Sequence, residues 1–247
     1  MAAPLRERIS IATDEIAQDL GEVREFLQKH RLKAIDLRVV GGERVPAISK
    51  KDYETLKAWV RSGEVEVVGF SPGLFKAPIE DAAKHLKDLL PRSLEMALEL
   101  KARLMVSFAF LGEKADLDAF RKAADACARA GLPLLVENEP GTPARTAPET
   151  LRLLDTVAHP NLFSLWDPAN TDEPTKVGEG LRLLFPHVRH IHVKNGGPLK
   201  NGPIDWKAHL ALLERLEYGG YLGIETHYLP FKEGSETVLG ELREFLA

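Results

Sequence analysis

Four residues of metal-ligand type end four successive apolar segments of the chain, namely Glu137, Asp167, His192 and Glu225. They close the segments LPLLVE, NLFSLWD, VRHIH and GYLGIE, and intervals of 30, 25 and 33 residues separate them. Three carboxylates and one imidazole that meet at one place can hold a divalent cation. The carboxylates favour Mg²⁺ or Mn²⁺, and the imidazole shifts the preference towards Mn²⁺ or a later transition metal such as Co²⁺. Zn²⁺ is the weaker alternative, because it ordinarily takes more histidine or cysteine ligands.

Such a site predicts chemistry on neighbouring oxygens of a substrate. Four protein ligands on an octahedral ion leave two positions open, and a carbonyl beside a hydroxyl would fill both. The ion would polarise the carbonyl, while flanking carboxylates move the proton on the adjacent carbon. The opposing interpretation is that each acid only caps a helix or forms a salt bridge. It applies best to Asp167, because the stretch DPANT resembles a turn or a helix cap. That interpretation does not explain why all four end apolar segments.

The elements that must position these residues alternate along the chain. Eight short β-type runs precede or separate helix-type stretches, and they are RISIAT, KAIDLRVV, VEVVGF, ARLMVSFAF, LPLLVEN, NLFSLWD, VRHIHVK and YLGIETH. The stretches between them carry apolar residues at helical spacing, as in DLDAFRKAADACARAG and DWKAHLALLERLE. About 250 residues build eight strand–helix units, so we predict a single (β/α)8 TIM barrel over residues 1–247. A doubly wound open sheet is the alternative, but the chain contains neither GxGxxG nor a P-loop.

Residue parity in the seventh run predicts which side chains face the barrel mouth. In VRHIHVK, Ile191 and Val193 alternate with His190, His192 and Lys194. In a barrel the apolar set packs beneath the helices, and the polar set points into the lumen or its mouth. We expect His190, which lies one pleat deeper than His192, to be a hydrogen-bonding lumen residue.

The same parity nominates further residues at the mouth. Glu139 shares a face with Glu137, and His227 shares one with Glu225, so both are candidates to contact substrate or support the ligands. Arg38 follows IDL near the end of the second run. It either holds a substrate carboxylate or phosphate, or forms a salt bridge with Asp36 or a loop acid.

The chain resembles the sugar phosphate isomerase/epimerase-like barrels related to xylose isomerase. These include ketose 3-epimerases, hydroxypyruvate isomerases and inosose dehydratases. The resemblance spans nearly the whole chain and is strongest in LLVENEP, LFSLWDPANT, VRHIHVKN and GGPIDWKAHLALLERLEYGGYLGIETHY. It implies that Glu137, Asp167, His192 and Glu225 hold one divalent metal, and that Glu137 and Glu225 are also the acid/base pair. It further implies that Lys194 contacts substrate oxygens or an anionic group.

One position departs from the family pattern. Several family epimerases have Asp-x-x-His at the sixth strand, whereas this chain has Asp167 followed three residues later by Asn170. Asn170 can hydrogen-bond a substrate hydroxyl but cannot take up a proton, which weakens ketose 3-epimerisation in particular. The apurinic-site endonucleases of the same superfamily bind three zinc ions through extra histidines. The third and fourth runs here contain none, so a DNA-cutting site is not expected.

Composition limits the partners of the protein. Over 247 residues the formal net charge is −4 and no basic tract occurs, so nucleic acid is not an expected partner. The apolar runs are too short to cross a membrane, and MAAPLRERISIATDEI lacks the apolar region of a secretory signal. We therefore expect a cytoplasmic enzyme, compatible with a homo-oligomer. Cys127, the single cysteine, has no partner for an internal disulfide.

These observations predict a metal-dependent isomerase or epimerase. Its substrate would be a small sugar or sugar-like keto compound, and the reaction would proceed through an enediolate. Dehydration begins with the same proton abstraction and then expels a β-hydroxyl, so an inosose dehydratase type of reaction is the alternative. A third possibility is a metal-binding barrel without catalytic activity. A missing acid would favour it, and none of the four candidate ligands is missing.

Overall fold

The computed structural model describes residues 3–171 and 176–247 and contains a closed barrel of eight parallel strands. Each strand pairs with its neighbours in chain order, and the first strand closes the barrel against the eighth through Ile9 opposite Leu222 and Ser10 opposite Gly223. This confirms the predicted (β/α)8 TIM-barrel fold. The strands are β1 Ile9–Ala12, β2 Ala34–Leu37, β3 Glu66–Leu74, β4 Leu104–Ser107, β5 Leu134–Glu137, β6 Leu162–Trp166, β7 Val188–Val193 and β8 Tyr221–Ile224.

Helices follow each strand and pack their apolar faces against the barrel. The third helical segment begins as Ala82–Lys84 and a π-helical turn His85–Leu89. The helix Leu90–Glu99 follows, with Pro91 in its first turn. None of the helices in the described ranges is long and apolar enough to cross a membrane. The helices are α1 Leu20–His30, α2 Lys50–Ser62, α3 Leu90–Glu99, α4 Leu117–Arg129, α5 Ala147–Val157, α6 Val177–Leu184, α7 Trp206–Arg215 and α8 Phe231–Phe245.

The helix that follows β5 has a strong start signal. Thr146 Oγ1 accepts a hydrogen bond from the backbone N–H of Glu149, and Glu149 Oε2 accepts one from the backbone N–H of Thr146. This capping box satisfies two backbone donors and stabilises the start of α5 by about 1 kcal/mol. The loop between Glu137 and α5 is therefore anchored at both ends.

A small antiparallel hairpin interrupts the path from β2 to α2. Its strands are Val39–Val40 and Glu43–Arg44, joined through Gly41 and Gly42, whose φ angles are 61° and 82°. Two consecutive positive φ angles require glycine or a similarly permissive residue, and they suit a tight hairpin turn. The hairpin places Arg44 at the mouth of the barrel.

The barrel lumen is apolar in its lower part and charged at its upper end. The lower part is a separate cluster of buried side chains, with Phe163 and Tyr221 packed against it. The side chains two residues further along several of the same strands are the polar ones, as the parity argument predicts. The lower cluster consists of Ala34, Val68, Leu104, Val106, Leu135 and Leu165.

Candidate metal centre

The four residues singled out by type and spacing lie together at the carboxyl ends of their strands. Glu137 is the last residue of β5, Asp167 and Glu225 directly follow β6 and β8, and His192 lies near the end of β7. All four are buried, and each offers one ligand atom within 4.8 Å of the others. His192 Nδ1 lies 3.2 Å from Glu137 Oε1, 3.3 Å from Glu225 Oε2 and 3.6 Å from Asp167 Oδ2.

The charges of this cluster suit a cation. Burial alone would lower the pKa of His192, but Glu137 and Asp167 raise it to about 9. Burial opposes the charge of Asp167, yet Lys194 and His192 lower its pKa to about 2, and His192 lowers that of Glu137 against burial. His192 Nδ1 is buried and makes no well-formed hydrogen bond, although three carboxylates surround it. A divalent ion would replace the proton on His192 and balance the charge of the three carboxylates, so these four residues fit a divalent cation.

Asp167 uses its two carboxylate oxygens differently. Oδ1 accepts a hydrogen bond of 2.8 Å from Ala169 N and caps the short 3-10 turn Pro168–Asn170. Oδ2 faces His192 and Lys194. The capping interpretation from the sequence is therefore correct for one oxygen, and it leaves the other for the cluster.

Asn138 positions Asp167 and was not anticipated. Its Nδ2 donates to the carbonyl of Asp167 at 2.8 Å, and its Oδ1 accepts from Asp167 N at 2.7 Å. The side chain is fully buried on the face of β5 opposite Glu137. The sequence signal that could have identified Asn138 is an amide residue directly after a candidate ligand, at a position where strand alternation turns the side chain towards the core.

Lys194 and Asn170 lie beside the cluster. Lys194 Nζ lies 2.7 Å from Asp167 Oδ2, donates to Glu225 Oε2 at 3.2 Å and to Asn170 Oδ1 at 2.9 Å. Asn170 Nδ2 donates to the carbonyl of Asn138 at 3.0 Å and lies 3.5 Å from Glu137 Oε1. Lys194 and Asn170, two of the predicted substrate-contact residues, thus touch candidate ligands, and both line the mouth.

Arg38 is engaged by acids. Its Nε donates to Asp14 Oδ2 at 2.9 Å, its Nη2 lies 3.2 Å from Glu15 Oε1, and its Nη1 contacts Glu225 Oε1. Asp14 and Glu15 raise the pKa of Arg38 despite its burial. Of the two salt bridges weighed from the sequence, the loop-acid version is the one formed; Asp36 pairs elsewhere.

Glu15 is a second residue that sequence reasoning missed. It is buried, and its Oε2 accepts hydrogen bonds from Thr226 Oγ1 at 2.7 Å and His227 N at 2.9 Å. The contact stabilises His227 at a φ of 49°, an unusual angle for a residue with a side chain. His227 Nε2 lies 3.6 Å from Glu225 Oε2, and the ring is half exposed towards the mouth. The Glu15 carboxylate thus joins the loops that follow β1 and β8.

One pleat below the cluster lies a buried carboxylate–imidazole pair. Asp36 Oδ2 accepts from Ser10 Oγ at 2.7 Å and lies 3.1 Å from His190 Nε2. Burial alone would raise the pKa of Asp36, but His190 lowers it to about 2. A Cβ on Gly223 would lie 2.5 Å from His190 Nε2 and closer still to Asp36 Oδ2, so only glycine fits there. His190 is a hydrogen-bonding lumen residue, as its parity indicates.

The cluster opens into a cavity of about 460 Å³. This volume suits a small molecule. Glu137, His192 and Glu225 line the cavity, together with Arg38, Arg44, Lys76, Lys194, Asn170, Glu139, Phe108 and His227. Glu139 pairs with Lys76 at 2.6 Å, so it lies at the cavity wall rather than in the cluster.

Comparisons with known proteins agree with this architecture. A family model described as xylose isomerase-like TIM barrel matches residues 24–247. No curated protein sequence matches the chain. Among solved structures, the probable 3-DHS dehydratase AsbF from Bacillus anthracis has a TM-score of 0.81 at 19% identity, covering 95% of this chain and 98% of that one. An L-ribulose 3-epimerase has a TM-score of 0.80 at 17% identity, covering 97% and 94%.

A metal-containing relative is also similar. A xylose isomerase-like TIM barrel protein from Mycobacterium smegmatis, solved in complex with magnesium, has a TM-score of 0.73 at 16% identity and covers 97% of this chain and 98% of its own. At these identities the structural likeness establishes the fold. The chemistry must be argued from the site.

Proposed function

Because the chain belongs to the xylose isomerase-like TIM barrel family, we propose that it is a divalent-metal-dependent isomerase or epimerase of a small sugar or sugar-like keto compound. The observation that carries the proposal is the pair of buried carboxylates, Glu137 and Glu225, in one cluster at the head of the cavity. Glu137, Asp167, His192 and Glu225 would hold the ion, with Mn²⁺ or Mg²⁺ favoured and Co²⁺ or Zn²⁺ as alternatives. When bound, the ion would polarise the substrate carbonyl and stabilise negative charge on its oxygen.

Glu137 and Glu225 are the proposed proton carriers. The lowered pKa of Glu137 keeps this carboxylate ionised near neutral pH, so it can accept the proton next to the substrate carbonyl and leave an enediolate. Glu225, which Arg38 and Lys194 hold in place, would enter the reaction protonated and give its proton to the neighbouring carbon or to the other face of the same carbon, which leaves Glu137 protonated and Glu225 ionised. In the first case a proton also passes between the two substrate oxygens. The first outcome is isomerisation and the second is epimerisation.

The surrounding polar side chains would bind and orient the substrate. Lys194 and Asn170 present an ammonium and an amide beside the candidate ligands and can donate to substrate oxygens. Arg38 serves mainly to position Glu225, because three acids already engage its guanidinium. Asn170 cannot move a proton, so the proposal covers the reaction class and does not extend to ketose 3-epimerisation in particular.

Dehydration is the second candidate, and His227 favours it. Its ring faces the cavity 3.6 Å from Glu225, and burial beside Lys194 lowers its pKa. A lowered pKa keeps the ring neutral near neutral pH, so His227 could remove the first proton as a base, and the imidazolium formed could then give that proton to the departing β-hydroxyl, which leaves as water. The products of the reaction therefore separate the two candidates.

The test is hydrogen exchange in heavy water. The Mn²⁺-loaded or Mg²⁺-loaded protein is incubated with ketoses, 2-keto acids and inososes, and mass spectrometry follows deuterium next to the carbonyl. We expect exchange with at least one compound and its loss after chelation, with recovery when Mn²⁺ or Mg²⁺ is restored. Exchange that survives chelation would remove the metal from the mechanism, and exchange with no compound would refute the enzyme proposal. Loss of water from a product would identify the dehydratase.

A further inference from the structure

The cavity cations differ in whether an acid already neutralises them. Arg38 contacts Asp14, Glu15 and Glu225, and Lys194 contacts Asp167 and Glu225. Lys76 pairs with Glu139 at 2.6 Å. Arg44 lines the same cavity, yet within residues 3–171 and 176–247 no carboxylate lies within 4.0 Å of its guanidinium. Arg44 is thus the exception among the cavity's lysines and arginines.

The environment of Arg44 holds its side chain at the mouth without a carboxylate in contact. Nη1 donates to the carbonyl of Ser71 at 3.0 Å, the one hydrogen bond that the described part of the chain gives it. Its Cδ packs on the backbone of Gly73, where an added Cβ would lie 3.1 Å away. A guanidinium has five N–H donors, so most of them remain available. Arg44 belongs to a short hairpin that follows β2 directly, and this limits how far the residue can move away from the cavity.

The pKa of Arg44 is lowered on balance, whereas the pKa of Arg38 is raised. Burial and the neighbouring Arg38 guanidinium lower the pKa of Arg44, and the more distant Asp14, Glu137 and Glu139 offset this only in part. Asp14 and Glu15, which contact Arg38, raise the pKa of Arg38 despite its burial. Arg44 nevertheless stays charged at any neutral pH. A partly buried cation without a carboxylate in contact loses hydration free energy, and proteins ordinarily pair such groups.

We infer that Arg44 binds an anionic group of the substrate, a carboxylate or a phosphate, away from the four candidate metal ligands. The inference rests on the proposed function, because it assumes that the substrate places its carbonyl at Glu137 and Glu225. The planar fork of a guanidinium matches either anion through two parallel hydrogen bonds. The substrate class is then a sugar acid or a sugar phosphate rather than a neutral sugar.

The test compares three ketohexose probes that share the hydroxyketone end. D-fructose is neutral, D-fructuronate carries a carboxylate at the far carbon, and D-fructose 6-phosphate carries a phosphate there. Equilibrium dialysis of the Mn²⁺-loaded protein measures their affinities for the wild type, Arg44→Gln and Arg44→Lys. The matched control is Arg103→Gln, since Arg103 is an exposed arginine paired with Glu66 away from this cavity.

We expect the wild type to bind at least one anionic probe roughly tenfold to a hundredfold more tightly than D-fructose, as a charge-assisted pair of hydrogen bonds implies. Arg44→Gln should remove this preference and leave the affinity for D-fructose unchanged. Arg44→Lys should retain part of it, and Arg103→Gln all of it. The carboxylate and phosphate arms identify which anion the site accepts.

Three results would overturn the inference. They are equal affinity of the wild type for all three probes, an anion preference that survives Arg44→Gln, and no binding of either anionic probe. A purely structural role through Ser71 would instead lower the affinity for all three probes together. Hydrogen exchange on the same samples separates the two proposals. An anion preference without exchange would refute the chemistry alone, and exchange without dependence on Arg44 would refute the anion site alone.

Discussion

The fall of stability with rising pH between pH 6.5 and 9 should disappear when the metal is added. In the metal-free protein Glu137 and Asp167 raise the pKa of His192 to about 9, against about 6.5 for an unfolded histidine. A raised folded-state pKa stabilises the protein fully below pH 6.5, and the contribution is lost as the pH rises through about 9. The shift corresponds to roughly 3 kcal/mol of unfolding free energy. With a chelator present, Tm should therefore fall between pH 6.5 and 9.

Metal binding should show the opposite trend, because the ion and the proton compete for His192 Nδ1. The affinity for Mn²⁺ should rise about tenfold per pH unit below pH 9, and so about a hundredfold from pH 6 to pH 8. Asp167, with a pKa of about 2, adds nothing to this slope. The tenfold gain in affinity per pH unit offsets the loss of the His192 contribution, so at saturating Mn²⁺ the Tm should be nearly independent of pH between pH 6.5 and 9.

Two measurements check this reasoning. Calorimetric titration with Mn²⁺ in buffers of different ionisation enthalpy counts the protons released, and we expect about one per ion at pH 7. Differential scanning calorimetry follows Tm across the pH range with chelator or with Mn²⁺. The variant His192→Asn should bind more weakly and lose the pH slope. No proton release, or an affinity independent of pH, would refute the assignment of His192 as a ligand.

Three substitutions test the remaining parts of the site. Glu225→Gln should lower hydrogen exchange at least a hundredfold with the circular-dichroism spectrum unchanged, because it removes a proton carrier; full exchange would exclude Glu225 from proton transfer. Asn138→Ala should weaken Mn²⁺ binding about tenfold to a hundredfold, because two hydrogen bonds orient Asp167; unchanged binding in the same titration would contradict that role. Gly223→Ala should lower the unfolding free energy by about 1–3 kcal/mol in urea, because its methyl group would overlap Asp36 and His190, whereas Gly219→Ala, with open space around it, should not.

Local pattern was sufficient to predict the fold and the composition of the cluster. Strands and helices have different periods, so the eight alternating units could be recognised without a structure, and the closed barrel confirms them. Parity also placed His190 and His192 on one face with Lys194, because successive side chains of a strand alternate. The roles of Glu137 and Glu225 in proton transfer stay predictions that the exchange experiment decides.

Pairings between distant residues could not be predicted, because they depend on barrel closure. Thr226 donates to Glu15 across 211 positions of the chain only because β8 lies beside β1. The same closure brings Arg38 to Glu225, and the pairing of β1 with β2 sets Ser10 against Asp36.

The sequence alone determined which residue types stand at the strand ends, since each is set by its own strand and its parity. The tertiary structure decided which of their charges are neutralised. Arg38 and Arg44 are only six positions apart and both are arginine, yet three acids surround the first and none contacts the second among the described residues. That difference comes from the hairpin after β2 and the loops around it. Charge pairing is a property of position in space, which residue order does not record.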